Sequence, residues 1–402
     1  MKRRTFIHLL NTGAAVSLVS KQSVAGWFQP VPHAARWQEE LSYYTIQSIS
    51  FGDVRLQYPR LVGKNARLDI HGYGIRNEIC KITTDKGATG WASLRGGRGH
   101  AQRLVQELTG KKLSDVFQIS VGITDDKYLP FDIALHDLAG VVLNKPVYAL
   151  LGQDKPYTTK YYSGMIYFDD LEPAHAPGGI DKVLNECRYD YEQGYRQFKL
   201  KIGRGNRWMP HKEGLARDIE VTKQVAKAFP DCDVLVDGNN GFTFPEFTEY
   251  LKGIGNIPLF WIEEPFHETV EDYKKLRAWM REANVRSLLA EGEADPDPAL
   301  LEELMKQQLM DVHISDIEGL GFTNWRKLMP VLKQYKVQAS PHAWGSLLKS
   351  YYTAHLAGGL GNTVTIEGVT STSEDVDLSR YRIKDGSLIP PDAPGFGMEL
   401  LR

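Results

Sequence analysis

From about residue 160 to residue 370, short apolar runs alternate with stretches of helical periodicity. The runs at 162–167, 197–202, 233–237, 259–263, 287–293, 311–316, 337–342 and 363–367 predict eight strands, and amphipathic stretches over 211–229, 268–283 and 322–336 predict helices between them. Strand ends from Glu263 to Glu293, Asp316, His342 and Glu367 lie 30, 23, 26 and 25 positions apart. That spacing suits one strand and one helix per step, hence a parallel sheet closed into a barrel over 158–370; two packed sheets would need hairpins instead. Residues 40–157 read as an α+β unit. Within it, 79–84 and 88–92 form two strands about the turn Asp85-Lys86-Gly87. Phe131, Ala134, Leu135, Leu138 and Ala139 then share one helical face, with Gly140 near the end. The tail 371–402, rich in Ser, Asp, Pro and Gly, is expected to return to this first unit.

Composition narrows the class. With 402 residues, 42% hydrophobic and 24% charged, wholesale disorder, a collagen-like fibre and a multi-span membrane protein are excluded. Forty-eight basic residues against 50 acidic ones give a net charge of −2. This lacks the basic excess that phosphate contacts require, so no nucleic acid is expected and a small molecule is the default ligand. Cys80, Cys187 and Cys232 have no metal spacing, which indicates neither a disulfide framework nor a zinc site.

The first 25 residues read as an address. Met1-Lys2-Arg3-Arg4-Thr5-Phe6-Ile7 resembles a twin-arginine export signal. The following stretch to Ser20 is mildly apolar, is interrupted by His8 and Asn11, and is too short and polar to span a bilayer. Ser23-Val24-Ala25 offers small residues for cleavage after Ala25. A periplasmic protein with no stable membrane association after export is expected, and this segment is set apart from the fold.

A charged or polar residue at the C-terminal end of a barrel strand usually marks the site face. Here nearly every strand ends in one. Strand two ends Lys199-Leu200-Lys201, so both lysines point inward at successive levels. Strand three ends Asp237-Gly238-Asn239, strand four Glu263-Glu264-Pro265, strand five Glu291-Gly292-Glu293, strand six Asp316, strand seven His342 and strand eight Glu367. For Asp316 alone, the N-cap of the next helix is a serious rival reading. Asp237, Glu263 and Glu293 on adjacent strands are hard oxygen ligands without His or Cys, which favours Mg²⁺, with Mn²⁺ as the substitute, over zinc. Alternation turns Glu263 inward with Trp261 and Glu264 outward. Glu291 and Glu293 share a face, and Glu293, one level nearer the mouth, is taken as the ligand.

This ordered set resembles the enolase superfamily, in its mandelate racemase-like group, over nearly all of residues 45–400. The resemblance rests on Lys199-x-Lys201, the series Asp237, Glu263 in Glu-Glu-Pro and Glu293 in Gly-Glu, and the Asp316/His342 pair. Asp132 to Gly140, followed by Pro146 to Gly152, is similar to the family's segment leading into the barrel. One departure is Glu318-Gly319, where relatives often have Gly-Gly. The resemblance implies an α/β fold, a modified TIM barrel (β/α)7β with an α+β N-terminal capping domain, and Mg²⁺-assisted abstraction of a proton α to a carboxylate.

On that reading Lys199 and the metal stabilise the charge of the enediolate. Lys201 is a base whose neutral amine is favoured by like charge nearby. His342, oriented by Asp316, serves on the opposite face, and a protonated Glu367 would hydrogen-bond the substrate carboxylate, with a structural ion pair as its rival role. Asn239 and three residues of the loop between the first two strands, Arg67, His71 and Arg76, are expected to bind substrate. Arg95, Arg98 and His100 around the Gly-rich 96–99 stretch have a phosphate-binding role only if a helix begins there. The expected partner is a carboxylate, most simply a sugar acid, and self-association into a homo-oligomer is expected. The leading reaction is dehydration of an acid sugar to a 2-keto-3-deoxy acid, catalysed by a hydro-lyase. Racemisation, epimerisation and cycloisomerisation use the same residues, and a non-catalytic periplasmic binding protein is the alternative of another class.

Overall fold

The computed structural model describes residue 31 and residues 33–401, so the export-type segment lies outside the described residues. Seven parallel strands run in chain order: Thr159–Ile166, Gln197–Lys201, Asp233–Asp237, Leu259–Glu263, Leu288–Glu291, Val312–His313 and Gln338–Ala339. The eighth, Thr365–Gly368, pairs in parallel with the first, and a bridge between Ala339 and Thr363 joins it to the seventh, completing the ring. Helices His211–Ala228, Val270–Glu282 and Phe322–Tyr335 occupy the three stretches whose periodicity predicted them.

Strand alternation explains where the site lies. Val234, Val236, Ile262 and Leu289 face the helices, whereas Tyr162, Leu235, Trp261, Ala290, Val312 and Ile314 meet inside the barrel as a separate buried cluster. Leu235 and Asp237 share a face, as do Trp261 and Glu263, so an apolar floor lies one level below the carboxylates. Tyr162 and Trp261 meet edge to face on that floor, 5.2 Å between centroids.

The capping unit is a three-stranded antiparallel sheet, Ile46–Val62, Gly72–Thr84 and Thr89–Ser93, with helix Asp132–Leu143 against it. It begins earlier than residue 40: helix Ala34–Leu41 packs on it, and Gln38 donates to the carbonyl of Phe117 at 3.0 Å. The extent of the first strand and the N-terminal half of the second were not read from sequence, although Val54-Arg55-Leu56-Gln57-Tyr58 alternates between buried and exposed positions. At Gly90 any Cβ would sit 2.4 Å from the backbone of Leu138, so glycine permits the close approach of strand and helix. That helix runs past Gly140 and ends at Asn144 in the left-handed region, φ 51°.

The tail returns to the cap, as expected. Thr372 bridges Gln57, and Gly395 bridges Pro146. The tail also does something the sequence did not suggest: hairpin Arg382–Lys384/Ser387–Ile389 joins barrel strand one antiparallel. Buried Asp137 accepts from Trp91 N at 2.9 Å and Phe396 N at 2.7 Å, tying sheet, helix and tail together. Among the described residues no helix is long and apolar enough to cross a membrane.

Candidate active site

Strand two delivers both lysines inward, nearly sealed from solvent. Lys199 Nζ lies 2.9 Å from Glu263 Oε1, 2.9 Å from Glu367 Oε1 and 3.5 Å from Asp237 Oδ2. Lys201 Nζ bonds Asp237 Oδ2 and stands 5.3 Å from the centre of the Tyr167 ring. Burial alone would lower the pKa of each lysine. For Lys199 the charges of Glu263 and Glu367 outweigh burial and hold it well above the ordinary value; for Lys201 the charge of Asp237 raises it despite Lys199. The like charge of Lys199 by itself therefore does not suffice for the neutral amine expected at Lys201, an expectation that counts Lys199 together with the metal.

Asp237, Glu263 and Glu293 each offer one oxygen, all within 4.8 Å of one another. Glu263 Oε2 and Glu293 Oε2 are buried without a hydrogen-bond partner. Burial and the charge of Asp237 push the Glu263 carboxyl well up despite Lys199, the mark of crowded anions awaiting positive charge. Three hard oxygen donors, two of them carrying an unpartnered buried oxygen, fit a divalent magnesium ion. Glu293 rather than Glu291 completes the trio; Glu291 is also buried, and neither of its oxygens has a partner. Added Mg²⁺ should raise Tm by several degrees, since a ligand at a hundredfold excess over Kd stabilises by about 2.7 kcal/mol. Chelation should reverse the rise in a calorimetric scan, and an unmoved Tm would argue against the site.

Glu264 corrects the sequence reading. Its backbone turns left-handed, φ 39°, which breaks the alternation that would have pointed it outward. The side chain is buried, and Oε1 accepts from Glu293 N at 3.1 Å and Ala294 N at 2.6 Å, so it supports the loop carrying the third ligand.

His342 faces the same centre from strand seven. Nδ1 bonds Asp316 Oδ2 at 3.0 Å, and Nε2 lies 3.2 Å from Glu293 Oε1 and 3.8 Å from Glu367 Oε2. Burial would lower the imidazole pKa, but Glu293, Glu367 and Asp316 raise it above the ordinary value. Asp316 plays both roles weighed for it: Oδ1 caps a short helix through Glu318 N and Gly319 N, while Oδ2 serves the histidine. Glu367 is an anion rather than a protonated acid. Burial raises it, yet Lys199 and His342 bring it down to about 2, and Oε2 accepts from Ala343 N at 2.8 Å. Gly164 makes room for it, because a Cβ there would lie 2.6 Å from Glu367 Oε1.

The loop from 63 to 71 is seated over the mouth. Asn206, Arg207 and Trp208, beyond strand two, donate side-chain hydrogen bonds to the carbonyls of Ala66, Arg67 and Asn65. His71 packs edge-on to Tyr167 and Trp344, centroids 4.8 and 5.7 Å away, and Nδ1 lies 2.7 Å from Gly63 O. Burial lowers its pKa, and the charges of Lys201 and Glu293 reach it, so it borders the site. Arg67 is exposed at the rim and bonds Asn240 O at 3.1 Å. Arg76 is not part of the site: it is exposed and paired with Asp53 at 2.7 Å, on an outward face of the sheet. Asn239, at φ 42°, keeps a buried and unpartnered Oδ1 beside Asp237, as a substrate-binding amide would. A helix does begin at Arg98, but it has only five residues and Glu78 Oε2 already occupies Arg98 N. Trp344, Tyr167 and Lys349, the last bonding Asp316 at 2.8 Å, were missed; a lysine in the first turn of the helix after His342 was the available signal.

This lysine pair, carboxylate trio and Asp-His dyad at the open end of an eight-stranded barrel define a class, and the comparisons agree with it. The family described as enolase C-terminal domain-like matches residues 182–402. A galacturonate dehydratase from Geobacillus sp., solved with D-galacturonate and 5-keto-4-deoxy-D-galacturonate, is 30% identical, with a TM-score of 0.83 over 90% of this chain and 95% of its own. A mandelate racemase/muconate lactonizing protein from Geobacillus sp., solved with magnesium and tartrate, is 30% identical, with a TM-score of 0.84 over 89% of this chain and 93% of its own. The D-xylonate dehydratase of Haloferax volcanii is 22% identical over 91% of this chain and 94% of its own length. The chain belongs to the enolase C-terminal domain-like family, among the mandelate racemase/muconate lactonizing enzymes.

Proposed function

We propose that the protein is a Mg²⁺-dependent acid-sugar dehydratase. The observation that carries this reading is the placement of two proton-transfer groups about one carboxylate cluster: Lys201 against Asp237, and His342 held through Nδ1 by Asp316 with Nε2 toward Glu293. Lys201 takes the proton α to the substrate carboxylate, and His342 as imidazolium gives its Nε2 proton to the departing β-hydroxyl. The resulting enol tautomerises to the keto acid. Asp237, Glu263 and Glu293 would hold the divalent ion, which would supply positive charge to the substrate carboxylate and engage the Asp237 charge otherwise paired with Lys201. Lys199, between Glu263 and Glu367, adds fixed positive charge at the same end. Asn239 and His71 border the substrate.

The galacturonate dehydratase relative, whose substrate and keto-deoxy product appear together in its structure, supports elimination over inversion. A panel of aldonic and uronic acids incubated in D₂O with Mg²⁺ tests it by proton NMR. A keto-deoxy acid carrying deuterium is expected. Inversion or exchange of the α-carbon without loss of water, across the panel, would instead make the enzyme a racemase or epimerase.

We also propose export to the periplasm through the twin arginines at positions 3 and 4. Arg3→Lys with Arg4→Lys should leave the protein in the cytoplasmic fraction. Undiminished periplasmic accumulation of the double variant would count against it.

A further inference from the structure

Asp316 carries more than a dyad requires. Its Oδ2 accepts from His342 Nδ1 at 3.0 Å and also from Lys349 Nζ at 2.8 Å, while Oδ1 takes two backbone N–H groups. Lys349 lies in the first turn of helix Leu347–Leu360, where the helix dipole disfavours a cation. Carboxylates offset that cost. Asp316 is bonded to it directly, and Glu318 is close enough for its charge to act on the ammonium. Glu318 is held in turn from the cap: Ser93 Oγ, at the end of strand Thr89–Ser93, donates to Glu318 Oε1. The hydroxyl of Tyr352, one turn beyond Lys349, meets Ser93 N at 3.1 Å and Ser93 Oγ at 3.2 Å. A hydrogen-bonded path therefore runs from the capping sheet through Ser93 to the Glu318 side chain, from the Glu318 N–H to Asp316 Oδ1, and from Asp316 Oδ2 to His342, with Lys349 bonded to that same Oδ2.

We propose that Lys349 is a positioning residue for the proton-donating histidine, and that Glu318, anchored by Ser93, makes the seating of the cap set the geometry of the dyad. Lys349 pins the one oxygen to which His342 Nδ1 is bonded, so the imidazole plane stays fixed while Nε2 works. The lysine touches neither the carboxylate trio nor, on the reading above, the substrate. The inference rests on His342 as the acid of the proposed dehydration.

The test uses the full, Mg²⁺-loaded chain with Lys349→Met, Lys349→Arg and Ser93→Ala. Lys349→Met should lower kcat about 10- to 100-fold, the usual range for a group orienting a site residue, with KM within about twofold. Exchange of the α-proton through Lys201 should persist, and arginine should restore most of kcat. Ser93→Ala should lower kcat in the same way but less. Unchanged kcat in Lys349→Met, exchange falling in step with kcat, or no rescue by arginine would overturn the proposal. A second readout does not depend on turnover: the Nδ1 proton resonance of His342, assigned by its loss in His342→Asn, should be sharp in wild type and Lys349→Arg and broadened by water exchange in Lys349→Met. Equal sharpness in all three would overturn it as well. A wild type that dehydrates no acid sugar defeats the dehydratase reading alone, and the imidazole resonance still decides the role of Lys349.

Discussion

Glu263→Gln is expected to lower turnover by roughly three powers of ten, because loss of one anionic ligand removes several kcal/mol of charge stabilisation from the transition state. The fold should survive. Lys199 keeps Glu367 at 2.9 Å, and the substitution relieves a carboxyl whose ionisation is opposed by burial and by Asp237. Tm without metal should therefore hold or rise, while the Mg²⁺-induced increase disappears. Full activity with an intact metal response would show that Glu263 is not a ligand. Glu264→Gln is the control. An amide oxygen can still accept from Glu293 N and Ala294 N, so a loss within about tenfold is expected, whereas Glu264→Ala should free that loop and cost more. The contrast separates charge on the metal side from support of the loop, a role for Glu264 that strand alternation alone did not reveal.

His342→Asn should suppress keto acid formation by about 10²- to 10⁴-fold, the usual contribution of a positioned acid. Lys201 is bonded to Asp237, whereas His342 is held by Asp316, so the two groups hang from separate carboxylates. Lys201 should continue to wash the α-proton of substrate into D₂O. Exchange without product is thus the expected signature of a dehydratase whose acid has been removed. In a racemase the same variant would exchange one enantiomer only, and the wild type would produce the opposite configuration. Simultaneous loss of exchange and elimination would mean that His342 rather than Lys201 removes the proton.

Much of the chain was legible because barrel chemistry is written at strand ends. Period-2 alternation in Phe198-Lys199-Leu200-Lys201 and in Trp261-Ile262-Glu263 fixes which side chains enter the barrel, and the structure puts Lys199, Lys201, Asp237 and Glu263 there, all buried. The 23- to 30-residue spacing gave the repeated strand-helix unit. Charge balance and carboxylate-only donors pointed to a small ligand and a hard cation.

What alternation cannot reach is any residue placed by a break in regular backbone or by a partner distant in sequence. Glu264 lies one position beyond its strand, where a left-handed backbone reverses its direction. Arg76 sits on a strand near the expected loop, yet pairing in the antiparallel sheet carries it to Asp53, 23 residues away. The protonation of Glu367 depends on Lys199, 168 residues earlier in the chain, whose charge outweighs the burial that would otherwise have kept the carboxyl neutral. Sequence by itself determined the strand repeat, the inward-facing lysines and carboxylates, and the kind of cation they suit, because these follow from local periodicity and ligand chemistry. Only the tertiary structure decided which charges neighbour which, and with them the ionisation of Glu367, the support of Glu293 by Glu264 and the hold of Lys349 on the dyad, because electrostatic pairing depends on distances that closing the barrel and seating the cap create.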